Sequence, residues 1–226
     1  MRQLELNIPS GIEQSLVIRF SIEGNLRYVS HKETMSIFQR ALVRCGVNIC
    51  YSSGFNPRCR LSLPLPRSVG VESDDELLCV IVSGELGDEE LQSRISSQLP
   101  DGCNIFKIEL LDGKHTFRPD WAVYEFALSE GVSECMEDNL QAVRCALGGA
   151  GELFVERFGG AGKGVRRIDV SMYIESVECE QNVLTVKCAV TPKGSVRVDE
   201  ILQLLGIEFR DLCVPVKRRS VHWIMN

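Results

Sequence analysis

Apolar and polar residues alternate through Leu16-Val-Ile-Arg-Phe-Ser-Ile22, which puts Leu16, Ile18, Phe20 and Ile22 on one face of a strand. Ser30-His31-Lys32-Glu33 follows as a capping box. Met35, Phe38, Leu42 and Cys45 then recur at helical spacing, and Gly46 sits where a helix stops. The pattern next predicts a strand over 48–51, a Gly/Pro-punctuated stretch over 53–70 and a strand over 76–82. Leu91, Ile95 and Leu99 mark a helix from about residue 88 that Pro100 ends, and 104–110 reads as a strand. The order is β-α-β-β-α-β, that of a four-stranded antiparallel sheet with two helices on one face.

The same order then recurs. A strand over 122–128 precedes a helix that opens at Ser133, carries Met136, Leu140, Val143 and Leu147, and ends at Gly148-Gly149. A hairpin joins 167–177 to 183–190 across Glu180-Gln181-Asn182. A short helix over 198–205 stops at Gly206, and 209–216 closes the unit as a strand. The fold class expected is therefore α+β, as two tandem ferredoxin-like βαββαβ domains over 1–115 and 116–226, each with an antiparallel sheet. A single larger α+β domain is the competing arrangement.

Composition narrows the function. The chain has 226 residues, 44% hydrophobic and 25% charged, which excludes a disordered acidic chain and a collagen-like repeat. No apolar run approaches the roughly 20 residues that cross a bilayer. The N-terminus lacks the apolar core of a signal peptide, so a cytoplasmic protein is expected. A net charge of -6 argues against non-specific coating of nucleic acid and leaves room only for a local basic site. Ten cysteines show neither CxxC pairs nor the spacing of a radical-SAM cluster, so they read as reduced core thiols, with no metal and no cofactor expected. Cys45, Cys79 and Cys188 fall at apolar positions of periodic segments, and Cys45, Cys50 and Cys59 form the one local cluster.

Four segments could carry chemistry. Arg27, Ser30 and His31 lie at the entrance to the first helix, where free N–H groups and the helix dipole suit a phosphate. His31 there is either an acid/base near neutral pH or an ordinary first-turn residue. In Ser53-Gly54-Phe55-Asn56-Pro57-Arg58-Cys59-Arg60, Phe55 either stacks on a base or tucks into the core, and Arg58, Arg60 and then Arg67 form a cationic rim. The glycine-rich run from Phe158 holds Lys163, Arg166 and Arg167, and is either a backbone wrap for phosphates or a flexible connection. It is not a P-loop, because no Ser or Thr follows Lys163. Finally, Lys217-Arg-Arg-Ser-Val-His-Trp223 reads as a basic tail with an aromatic.

Several of these residues also carry a resemblance. Phe20-Ser, Gly24, Leu26-Arg27, Ser30-His31, Gln39-Arg40-Ala41, Ser53-Gly54-Phe55-Asn56-Pro57, Arg60-Leu61-Ser62, Pro64-Leu65-Pro66, Gly70 and Glu76 resemble the bacterial radical-SAM-linked protein family, a domain family of unknown function. Arg167-Ile168-Asp169 and Gly194-Ser195-Val196-Arg197 extend the likeness more loosely. Lys32-Glu33 stands where that family usually has Leu-Asp, and Arg58 replaces its usual His. The resemblance implies an accessory subunit rather than an independent enzyme, partnered with a radical-SAM protein. With the two cationic loops it suggests RNA binding or substrate presentation, the RNA being a tRNA or rRNA. The tandem architecture also resembles that of CRISPR repeat-processing RNA endonucleases, which gives an alternative: metal-independent RNA cleavage with His31 as acid/base. A protein-interaction scaffold that never touches RNA is the third reading.

Overall fold

The alternation of Leu16, Ile18, Phe20 and Ile22 is realised in β1 (Glu13–Ile22), where all four side chains are buried. A computed structural model describes residues 13–84, 90–158 and 164–226. These fall into two compact units, and no described helix is long and apolar enough to cross a membrane. The described residues of the first unit lie within Met1–Pro66, Glu76–Phe117 and Met225–Asn226, and those of the second within Arg67–Asp75 and Arg118–Ile224.

In the first unit a short 3-10 turn leads from β1 to α1 (His31–Arg44). Apolar residues three and four apart turn one side of α1 to the core, and the Phe38 ring lies 4.5 Å from Phe20. Burying a side chain of that size contributes about 2–3 kcal/mol. The expected strand over 48–51 is reduced to isolated bridges, Ile49 to Val82 and Tyr51 to Cys59. Pairing passes instead to β2 (Leu61–Ser62) on β3 (Glu72–Ser83). The second helix, α2 (Leu91–Ser96), buries Leu91 and Ile95 and is shorter than its period suggested. It is followed by β4 (Cys103–Asp112), antiparallel to β1. The strand order is β4-β1-β3, with β2 on β3. Beneath the sheet, β1 and β3 side chains pack on α1 and α2 around Phe20, Phe38, Leu78 and Ile95.

After Arg67–Asp75, the second unit continues from Arg118 in β5 (Phe117–Ala127). Its first helix is broken into α3 (Val132–Cys135) and α4 (Glu137–Cys145), and ends in a wider turn where Gly149 takes a φ of 91°. A two-stranded sheet of β6 (Phe154–Phe158) and β7 (Val165–Asp169) then appears where the sequence suggested a loop running into a strand. The hairpin of β8 (Ile174–Glu180) and β9 (Val183–Ala189) turns on Gln181 and Asn182, both at positive φ, as a tight two-residue turn demands. The last helix, α5 (Val198–Leu205), spans the range its period predicted.

The final strand corrects the sequence reading. Residues 209–211 form a 3-10 turn, and the strand is β10 (Lys217–Met225), the segment read as a basic tail. Arg218 is fully buried, while Lys217 and Arg219 reach Asp74 at 3.3 and 2.6 Å and Arg219 also reaches Glu125 at 2.7 Å. Neutralised cations can lie in a sheet, so the run is a strand. The order is β10-β5-β9-β8, and Glu72 and Ser73 of β3 pair in parallel with β10, so the sheet is mixed and not wholly antiparallel.

The ten thiols are free, but they are not uniformly core residues. Cys79, Cys103 and Cys188 are buried, Cys45 is half-buried, and Cys135, Cys145 and Cys213 are exposed.

Candidate functional site

The entrance to α1 is organised locally. Arg27 folds back: Nη1 donates to the Gly24 carbonyl at 2.8 Å, Nη2 to the Tyr28 hydroxyl at 2.9 Å, and the guanidinium lies 4.4 Å from the Tyr28 ring centre. Tyr28 is exposed, an aromatic the sequence reading passed over. Ser30 caps the helix by accepting from the Glu33 N–H, while the Glu33 carboxylate accepts from the Ser30 N–H at 2.9 Å and its hydroxyl at 2.6 Å. The hydrogen bonds from Ser30, side chain first and then backbone, hold the Glu33 carboxyl below the usual range. An ionised carboxylate thus occupies the positive end of α1, where an arriving phosphate would compete with it. His31 is half-buried at the first helical position.

The loop over 52–58 is built differently. The Tyr51–Cys59 bridge closes its base, and Ser52 clamps it: its N–H donates to the Arg58 carbonyl at 2.8 Å, and its hydroxyl accepts from the Arg58 N–H at 2.9 Å. Every residue between is exposed. Gly54, at φ 126°, supplies the backbone conformation that turns the chain. Phe55 is 101% exposed, so it does not tuck into the core. Asn56 and Arg58 share this tip.

Two of the expected rim cations are committed elsewhere. Arg60 pairs with Glu13 at 2.9 Å, and the same carboxylate takes Lys114 at 2.9 Å. Hydrogen bonds from Lys114 and then Arg60 lower the Glu13 pKa. Arg67 is buried, with Nη1 donating to the Val71 carbonyl. Of the local cysteine cluster, Cys45 donates to the Arg94 carbonyl on α2, while Cys50 and Cys59 stay near each other across the Tyr51–Cys59 bridge. Among the described residues, no three His, Cys, Asp or Glu side chains gather as metal ligands would.

In the second unit, Lys163 lies outside the described residues. Arg166 and Arg167 are exposed on β7, opposite Arg157 and Glu156 of β6, and the Arg167 guanidinium lies 4.0 Å from the Phe154 ring centre. Arg157 is held in a fork by Glu200, with Nη2 to Oε2 at 2.8 Å, and also donates to the Ser195 carbonyl at 3.1 Å. Asp169 accepts from the Ser171 N–H at 2.9 Å and the Leu153 N–H at 3.1 Å. These bonds, Ser171 first, lower its pKa against the opposing effect of burial. The second-half motifs, around Asp169 and Ser195, are thus scaffolding that ties the β6–β7 hairpin to its surroundings. A groove of about 410 Å³ in this unit is lined by Glu72, Glu125, Val183, Val214, Lys217 and Arg219, whose charges face one another.

The structure therefore gathers Arg27, Ser30 and His31 at one turn and Gly54, Phe55, Asn56 and Arg58 at one hairpin tip, both in the first unit. It sets Arg166 and Arg167 on a hairpin of the second.

No protein of curated function matches the sequence. The crystal structure of an unknown protein from Galdieria sulphuraria aligns over 95% of this chain and 98% of its own, at 18% identity and a TM-score of 0.26. A candidate glycine cleavage system transcriptional repressor aligns over 95% and 99%, at 10% identity and a TM-score of 0.25. Neither superposition is close enough to inform fold or function. Residues 15–198 match the model of a family described as an uncharacterized protein conserved in bacteria (DUF2344), and the chain belongs to that family.

Proposed function

We propose that this chain is an accessory, RNA-binding partner of a radical-SAM modification enzyme, and that it presents the RNA through the hairpin tip at Phe55. One observation carries the binding part: an aromatic ring wholly in solvent, on a clamped loop, three residues from the exposed Arg58. Leaving such a ring in water is unfavourable, and a base stacked on it recovers roughly 1–3 kcal/mol. Tyr28, with Arg27 on its face, offers a second platform of the same kind. The enzyme partnership is supported by the motif resemblance over the first third of the chain. Free thiols throughout support a reducing, cytoplasmic setting. The proposal includes the finer fold: β4-β1-β3 with β2 in one unit and β10-β5-β9-β8 in the other support a ferredoxin-like domain in each.

Filter binding with bulk tRNA and rRNA fragments at near-physiological salt tests it. Phe55→Ala should weaken binding by about 5- to 100-fold, the range of one lost stacking contact. Arg58→Glu should weaken it and flatten the salt dependence. Absence of binding, or binding indifferent to both changes, overturns the RNA reading. Co-purification with the radical-SAM protein and no nucleic-acid absorbance would install the scaffold reading. RNA cleavage in EDTA that His31→Ala abolishes would install the endonuclease.

A further inference from the structure

β4 is an outer strand. Along one side it pairs with β1, and among the described residues nothing pairs with its other side. The bond from the Gly113 N–H to the Glu13 carbonyl, at 3.1 Å, fixes the alternation of the ladder. Leu111, Glu109 and Lys107 direct their backbone groups to β1, and Ile108 and Leu110 direct theirs outward. Toward the start of the strand a bulge interrupts the register, and the Gln92 side chain covers the Ile105 carbonyl at 3.2 Å. The open run is 107–112.

An open edge with exposed apolar residues is a template for another strand, and proteins usually guard it with charge, proline or a bulge. Here the bulge protects only the first end. Phe106 and Leu110 stand 51% and 38% exposed. Lys107 is a weak guard, because its ammonium already lies 2.9 Å from Glu109 in the same strand.

The order of residues says which strand fits. Lys107 and Glu109 lie symmetrically about Ile108, on one face of the sheet. An antiparallel copy of the same strand, related by a two-fold axis at Ile108, would set Lys107 opposite Glu109 of the copy and Glu109 opposite its Lys107. Ile108 would face itself through two outward backbone hydrogen bonds. The flanking Lys–Glu pairs would occupy the non-hydrogen-bonded positions, where facing side chains approach most closely. We infer that β4 is a self-association edge, pairing antiparallel with β4 of a second copy of this chain about Ile108. The contact is isologous, so it closes at two copies. Because a single strand pair buries little area, the dimer is weak and depends on concentration.

Sedimentation velocity on the full chain at low salt, over about 5–500 µM, tests this across the range of a transient interface. The wild-type chain should shift from monomer to dimer. Lys107→Glu and Glu109→Lys, each placing two like-charge pairs across the axis, should each weaken dimerisation at least about tenfold. The charge-swapped double variant should restore it. So should an equal mixture of the two single variants, whose strands are complementary to each other and not to themselves. Both side chains are about half exposed, so the fold should tolerate the changes, and unchanged melting of each variant checks that. A monomer at every concentration overturns the inference. A dimer indifferent to the single changes, or one the mixture fails to restore, overturns it too.

Discussion

Glu200 is 1% exposed and ionised. Burial alone raises a carboxyl pKa, but the Arg157 hydrogen bonds, the Arg197 N–H and the charge of Arg157 outweigh it, and the result lies below the ordinary value. Glu13 and Glu33 are shifted the same way, but Glu33 is exposed and Glu13 only half-buried, and solvent screening leaves their contribution small. Since the native pKa of Glu200 is depressed, its stabilisation is present above the unfolded value of about 4.3 and fades as pH falls through the native one. Glu200→Gln should cost about 3 kcal/mol at neutral pH, because Arg157 is left without its counter-charge. The gap between variant and parent should close toward pH 3. Urea unfolding followed between pH 7 and 3 measures both. A variant that keeps the parent's full acid dependence would assign that dependence to another group.

At the scale of elements, the passage from β1 to β4 is held by a crossing of backbones. The Glu23 N–H donates to the Gly102 carbonyl at 2.9 Å, and a Cβ added at Gly102 would lie 2.6 Å from the Glu23 carbonyl oxygen. Gly46, after α1, also takes positive φ, but a Cβ there meets open space. Gly46→Ala should therefore cost only the backbone term, about 1 kcal/mol, and Gly102→Ala clearly more, because backbone cannot yield as a side chain can. Parallel thermal melts of the two variants separate these terms, and equal losses would refute the argument. The same contrast between local and distant causes explains what could be read from sequence. The elements β1, α1 and α5 and the β8–β9 turn are encoded within a few residues by alternation, caps and turn chemistry. In β10 the decisive partners of Lys217 and Arg219 are Asp74 and Glu125, far away in the chain, so the segment looked like a solvated tail. The acidic start of β3 was missed for the complementary reason. At the candidate site, Glu13 takes Arg60 and burial takes Arg67 out of the expected rim, while the exposure of Phe55 is one of the two outcomes that its loop sequence leaves open.

The whole chain is interleaved in a way that neither half of the sequence reveals. Arg67–Asp75 lies between segments of the first unit yet belongs to the second, and the final two residues return to the first. That return is fixed by Thr116, whose carbonyl accepts from the Asn226 N–H at 2.9 Å. A cut between 115 and 116 would therefore remove Ser73, Asp74 and Asp75 from the second unit. Val221 would lose the Asp75 carboxylate that accepts its N–H at 2.9 Å, and the fully buried Arg218 would lose the Ser73 hydroxyl. It would also leave β10 as an exposed edge on which Lys217 has lost Glu72 and Asp74 and Arg219 has lost Asp74, keeping Glu125. An expressed 116–226 fragment should then unfold at markedly lower urea than the same unit in the intact chain, with Trp121 and Trp223 on β5 and β10 as its fluorescent reporters. A synthetic peptide of residues 67–83, added in trans, should raise the midpoint as its concentration rises, because it binds only the folded form. A scrambled peptide should do nothing. If the fragment alone matched the intact chain, the nine-residue excursion would be an attachment to the second unit and not one of its strands.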